Sequence, residues 1–313
     1  MSQMCFEEDI VSGEVTLPGM CTGNARRLMR KPGHRFMCCV DGSEASELAY
    51  KLVKHMLKPS DHVTMFHAFK TDKHVLHEYD PEDIRLKFKN QLIGDVQPSK
   101  RFSLEWVERA KGQSVFSSVQ GYLKHDPEAA PDFLVFGQTG RKGIKQEHPT
   151  SLGSNADLAV RSLHIPCIIA KKHLHSEPRH YIFTANASLS SKCGFDIILQ
   201  LVRSCDTLTV LYVVDFTERS RSDGDTTNTP TQGQIEALRS YYDEELYKYG
   251  PRTCNCTVSY VAENLTVAQH ITEYVNDKNP DFLALAPRAK DDLSPTTDYL
   301  IGHVRASIIL CKN

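Results

Sequence analysis

Residues Pro131 to Ser154, PDFLVFGQTGRKGIKQEHPTSLGS, decide the fold. Phe133, Leu134, Val135 and Phe136 make a continuous apolar run of the length of a buried parallel strand, and the run stops at Gly137. A polar loop follows through Gly140 and Gly143 to Gly153 and Ser154, and Asn155, Ala156 and the residues up to Arg161 read as a helix start. Strand, glycine-rich loop and helix N-terminus come in the order that anion binding needs. Glycine lets backbone N–H groups approach a phosphate closely, and a helix start offers unpaired donors at the positive end of its dipole. Ser154 adds a hydroxyl, and Arg141, Lys142 and Lys145 add charge. Glycines after a strand also make ordinary turns, so the loop alone does not decide between a turn and a phosphate site.

The same alternation extends outward from this stretch. Arg35 to Val40 is an apolar strand ending at Asp41, and Ser43 can cap an amphipathic helix from Glu44 to Leu57. His62 to Phe69 is a second strand, Pro81 to Ile93 a charged helical segment, and Arg101 to Val107 a third strand with Trp106 read as core. A helix from Gln113 to Lys124 precedes the glycine-loop strand, and Pro166 to Ala170 is the last strand. Strands alternating with helices predict a doubly wound parallel α/β sheet of five strands. Such sheets bind ligands outside the carboxyl ends of the strands, where strand order reverses. Asp41 ends the first strand and Gly137 the fourth; as neighbours, they face one crevice.

The second half repeats the first. Asp41, Ser43 and Ser46 return as Asn186, Ser188 and Ser191, and the Pro-Asp-Phe-Leu of residues 131–134 returns at Pro280 to Leu283. Leu208 to Val213, Thr257 to Val261 and Ser307 to Leu310 match the second, third and fifth strands. A repeat of the whole order predicts two copies of one fold. The expected divisions are an N-terminal arm over 1–33, partly disordered, a first domain over 34–172, a linker over 173–178 and a second domain over 179–313. The segment from Arg219 to Gln232 has nothing to bury and is expected to be mobile.

The 313 residues carry a net charge of −2, so no global field points to nucleic acid or to an anionic membrane. There is no apolar run of membrane-spanning length and no secretory signal at the N-terminus, which points to a cytoplasmic protein. Ten cysteines are scattered, several inside apolar runs, as small buried hydrophobes are. Cys254 and Cys256 are read as facing opposite sides of a strand, and so as no metal pair. His74, His77 and Glu78 lack a third ligand at a recognisable spacing, and no Ser–His or Cys–His arrangement marks a nucleophile. No catalytic or metal-binding residue is assigned.

Taken together, these residues resemble the universal stress protein family in a tandem, two-domain form. The resemblance implies two adenine nucleotide alpha-hydrolase-like domains that pair as an intrachain pseudo-dimer, with Ile168 and Ile169 against Ile308 and Ile309. It implies that ATP, with magnesium as its companion ion, is the cofactor of members that keep a loop of the form G-x2-G-x9-G-[S/T]. Carried over, Val40 and Asp41 contact the adenosine, Ala68 lies against the adenine, and Phe136 lines the nucleoside. Gly137, Gly140, Gly153 and Ser154 hold the phosphates, and Asn155 follows onto the helix start. The strand end fixes Gly137 and Gly140 as the first two glycines, which leaves residues 141–152, three more than the pattern has, before Gly153. The extra residues fall around Gln146 to Pro149.

In the second copy Asp41 becomes Asn186, Gly137 becomes Ala286 and Gly140 becomes Ala289, with Ser294 taken as the match of Ser154. A Cβ and a proline where backbone must approach phosphate argue against a second site. The leading reading is a stress-related regulatory protein with one ATP site in the first domain, acting as a homodimer or with protein partners. The alternative is a scaffold of the same fold that binds no nucleotide, and turnover beyond weak ATP hydrolysis is not expected.

Overall fold

The computed structural model describes residues 33–71, 79–96, 101–125, 130–140, 151–174, 177–215, 230–262, 264–287 and 293–313, together with Leu28. Two compact units divide the described residues, one over residues 33–174 and the other over residues 177–313 with Leu28. Most of the arm and of the segment 219–232, the basic residues Arg141, Lys142 and Lys145, Gly143, the insertion, the His74–Glu78 group and Ala289 lie outside the described residues.

The first unit runs β1 (Arg35–Cys39), α1 (Glu44–Met56), β2 (His62–Phe69), α2 (Pro81–Asp95), β3 (Phe102–Glu108), α3 (Val115–His125), β4 (Phe133–Gly137), α4 (Ser154–Ser162) and β5 (Cys167–Ala170). Its sheet is parallel, in the order β3-β2-β1-β4-β5. The second unit runs β6 (His180–Ala185), α5 (Leu189–Leu201), β7 (Thr207–Val214), α6 (Gln232–Tyr249), β8 (Thr253–Tyr260), α7 (Val267–Lys278), β9 (Phe282–Leu285), α8 (Pro295–His303) and β10 (Ser307–Leu310). Its order, β8-β7-β6-β9-β10, is the same path taken again. The α/β tandem expected from the repeat is therefore present.

Covered faces explain the apolar runs. The strands β5, β9 and β10 are buried along their whole length, as strands with helices on both sides must be. Most helices start on a capping side chain: Ser43, Asp80, Ser188, Thr231, Thr266 and Ser294 each accept from a backbone N–H of the first turn. Strand entry is fixed by buried aspartates. Asp61 accepts from the N–H groups of His34 (2.8 Å) and Lys58 (2.7 Å), and Asp206 accepts from those of Arg179 (3.0 Å) and Arg203 (2.9 Å). Asp132 takes the N–H of Arg35 and Asp281 that of His180, which is what the repeated Pro-Asp before β4 and β9 does.

Two expectations are corrected here. Trp106 is half-buried rather than core, because β3 is the outer strand of its sheet; its indole N–H donates to the Pro81 carbonyl at 2.9 Å. Cys254 and Cys256 share one face of β8, since residues two apart on a strand point the same way. Among the described residues no group of three or more candidate ligands could hold a metal ion.

The halves also exchange a glycine. In the first unit a Cβ on Gly137 would lie 2.5 Å from the Ala45 backbone of α1, so the strand end must be glycine for the helix to pack. In the second unit the strand end is Ala286, and the space comes from α5, where a Cβ on Gly194 would lie 2.5 Å from the Ala286 Cβ. Gly194→Ala is expected to lower stability by about 1–3 kcal/mol through overpacking, and Ala286→Gly in the same chain to restore it. Thermal denaturation of the two single variants and the double variant measures this; a double variant no more stable than Gly194→Ala would refute the exchange.

Candidate functional site

The strand order of the first unit reverses between β1 and β4, which pair from Phe36 with Phe133 to Cys38 with Val135. The chain leaving β1 through Val40 and Asp41 therefore stands beside the chain leaving β4 at Gly137. A parallel sheet opens a ligand crevice at such a point, beyond the carboxyl ends of its strands.

Val40 is buried and held on both sides of its peptide. Its N–H donates to the Phe66 carbonyl (2.9 Å), and its carbonyl accepts from Nδ1 of His67 (2.7 Å), which assigns that proton to Nδ1. His67 is itself buried, stacked on Phe69 with ring centroids 6.0 Å apart and 5.6 Å from the Trp106 ring. It holds the Val40 peptide in place. Ala68, also buried, follows it and pairs with Val107 on β3. Phe136 is buried at the end of β4.

Asp41 is divided between two tasks. Its Oδ1 accepts from the N–H (3.1 Å) and the hydroxyl (2.5 Å) of Ser43, and the Ser43 hydroxyl oxygen in turn accepts from the N–H of Ser46 (3.3 Å), capping α1. Its Oδ2 faces the glycine loop: a Cβ on Gly140 would lie 3.0 Å away. A carboxylate accepts from hydroxyls and repels phosphate, so Asp41 suits a sugar more than an anion. Gly42, with φ +84°, turns the chain from strand to helix in a left-handed conformation that favours glycine. The Asp41-Gly42 dipeptide signalled that turn without being singled out.

The two helix starts at the crevice differ. That of α1 is satisfied by Ser43, whereas α4 begins after Gly153, which supplies no side-chain cap. The Gly153 N–H donates to the Gln138 carbonyl at 2.9 Å, and a Cβ on Gly153 would lie 3.2 Å from the Gly140 nitrogen. Gly140 and Gly153 thus approach each other closely in a cradle beside Asp41, and Ser154 and Asn155 open α4 with exposed side chains. Gly137 stands apart: the space its missing Cβ leaves is taken by α1, so a substitution there disturbs packing before it reaches a ligand. Lys171 follows β5, whose last residue pairs with Gly137, and burial lowers its amine to about 8.

In the second unit Asn186 keeps the first role of Asp41, accepting from the N–H (2.9 Å) and hydroxyl (2.6 Å) of Ser188. The helix start does not survive. Ser294 is the N-cap of α8 and accepts from the Thr297 N–H at 3.2 Å, so it corresponds to Gly153 and not to Ser154 as the sequence match had it. Pro295 then occupies the place of Ser154 and has no N–H to offer.

No protein-family model matches the sequence, and no curated protein does. Solved structures match over nearly the whole chain. A universal stress protein from Archaeoglobus fulgidus is 11% identical, with a TM-score of 0.60 over 89% of this chain and 98% of its own. A functionally unknown protein from Pseudomonas aeruginosa is 10% identical, with a TM-score of 0.56 over 88% of this chain and 92% of its own. The chain is similar to these in fold, across both halves, and this is the fold of a universal stress protein. No helix among the described residues is long and apolar enough to cross a membrane.

Proposed function

We propose that the protein is an ATP-binding regulator of the universal stress protein type, with one nucleotide site in its first unit. The observation that carries this is the pairing of Asp41 Oδ2 with the Gly140–Gly153 cradle at an uncapped helix start. In this reading Val40, Asp41, Ala68 and Phe136 receive the nucleoside, and the Gly140, Gly153, Ser154 and Asn155 backbone receives the phosphates. Gly137 acts indirectly, by letting α1 pack against the strand end. When bound, ATP and its magnesium would bring the charge that the cradle neutralises. The asymmetry between Gly153 and the Ser294–Pro295 pair supports a single site per chain.

A second reading, a scaffold that binds no nucleotide, has one observation in its favour. The most conspicuous glycine of the loop, Gly137, is explained by helix packing alone.

Mass spectrometry of nucleotide released on denaturing freshly purified protein decides between them. About one ATP or ADP per chain is expected. Two per chain would contradict the asymmetry, and none, with no heat on adding ATP, would favour the scaffold. The chain has one tryptophan, Trp106, 5.6 Å from His67, so its fluorescence should respond to nucleotide entering against Ala68.

A further inference from the structure

The first unit carries a row of basic side chains at the end of its sheet away from the crevice. Arg35 opens β1 and stands opposite His62, which opens β2. Val63 stands opposite Phe102 on β3, so Arg101, one residue earlier, falls level with His62. Side chains at one level of adjacent parallel strands lie on the same face, about 5 Å apart. Three basic groups therefore share a face, with His62 between two arginines. One row further along that face, the Thr64 and Ser103 hydroxyls lie 3.0 Å apart.

Like charges at neighbouring positions of a sheet repel. The imidazole of His62 is lowered from its ordinary pKa, first by burial and then by Arg35 and Arg101. Arg101 is anchored, with Nε donating to the Asp61 carbonyl at 3.1 Å and a terminal nitrogen to the Lys58 carbonyl. The carboxylates of Asp61 and Asp132, at this same edge, accept backbone amides. The second unit shows what the fold itself requires. Its row reads His180, Thr207 and Thr253, and His180 Nε2 lies 3.4 Å from the Thr209 hydroxyl. The sheet closes there without a basic triad, so the triad belongs to the sequence of the first unit and not to the architecture.

We infer that Arg35, His62 and Arg101, with the Thr64 and Ser103 hydroxyls, form an oxyanion site that takes phosphate or a phosphate monoester. An anion on this row would accept charge-assisted hydrogen bonds from the guanidinium groups, and the hydroxyls supply further donors. The site lies at the opposite end of the strands from the crevice and does not depend on nucleotide binding there.

The test is a titration of the full chain with inorganic phosphate at constant ionic strength, following the His62 ring resonances by NMR, assigned with His62→Gln. The resonances are expected to move saturably toward the protonated positions. Arg35→Gln, at an exposed strand start, should weaken the titration at least about tenfold, the loss expected for one hydrogen bond to a charged group. Gly140→Val, at the other end of the sheet, should leave it unchanged. With O-phosphoserine as the probe, tighter binding than phosphate identifies an esterified ligand and equal binding identifies the free anion. Resonances that ignore phosphate, that move equally with chloride, or that titrate as before in both Arg35→Gln and Arg101→Gln overturn the site.

Discussion

Gly140→Val is expected to abolish ATP binding by the first unit while leaving the fold intact. A Cβ at this position would already lie 3.0 Å from Asp41 Oδ2, and the two methyl groups of valine extend into the same space. The sugar and the phosphates must both fit between those atoms, so the clash falls on the ligand and not on the core. A loss of at least about 100-fold in affinity, roughly 2.7 kcal/mol, is the expected size. Calorimetry measures it, and Trp106 fluorescence reports whether β3 and its neighbours stay folded. A control change in the second unit, Ser294→Ala, removes the helix cap that stands where Gly153 stands in the first, and should cost stability there without altering nucleotide binding. Equal loss of binding from both variants would contradict a single site, and full binding by Gly140→Val would exclude the cradle as the phosphate site.

The fold could be read from the sequence because each of its signals is local or repeated. The run Phe133 to Phe136 is buried, the Ser43 and Ser188 caps are made, and strand alternation alone leads to the sheet. That Asp41 and Gly137 leave neighbouring strands was also legible, since it follows from strand order once β1 and β4 pair. Features that depend on register or on a partner helix were not. Gly137 looked like a phosphate residue, and only the position of Ala45 reveals its packing role. Ser294 was matched one residue too late, because the loop before it is shorter and only the cap geometry fixes the alignment. The basic row of Arg35, His62 and Arg101 comes from residues far apart in sequence that sheet register brings level.

The strand-entry aspartates escaped the sequence reading for the same reason, and they carry the largest expected effect on stability. Asp61 is buried, and its two oxygens accept the N–H groups of His34 and Lys58 at 2.8 and 2.7 Å, tying the entry of β1 to the turn before β2. Asp61→Ala removes both acceptors and leaves amides at a buried corner without them. Losses of this kind run to about 1–3 kcal/mol for each stranded group, so about 2–6 kcal/mol is expected for the pair. That is a large part of the stability of an ordinary domain. Urea unfolding followed by Trp106, which lies in the same unit, measures the loss. Asp61→Asn keeps one carbonyl oxygen and can serve one of the two amides, so its cost should fall well short of that of alanine. If the two variants unfold at the same urea concentration, the carboxylate is not bridging the two amides, and the equivalent bridge by Asp206 between Arg179 and Arg203 would lose its support as well.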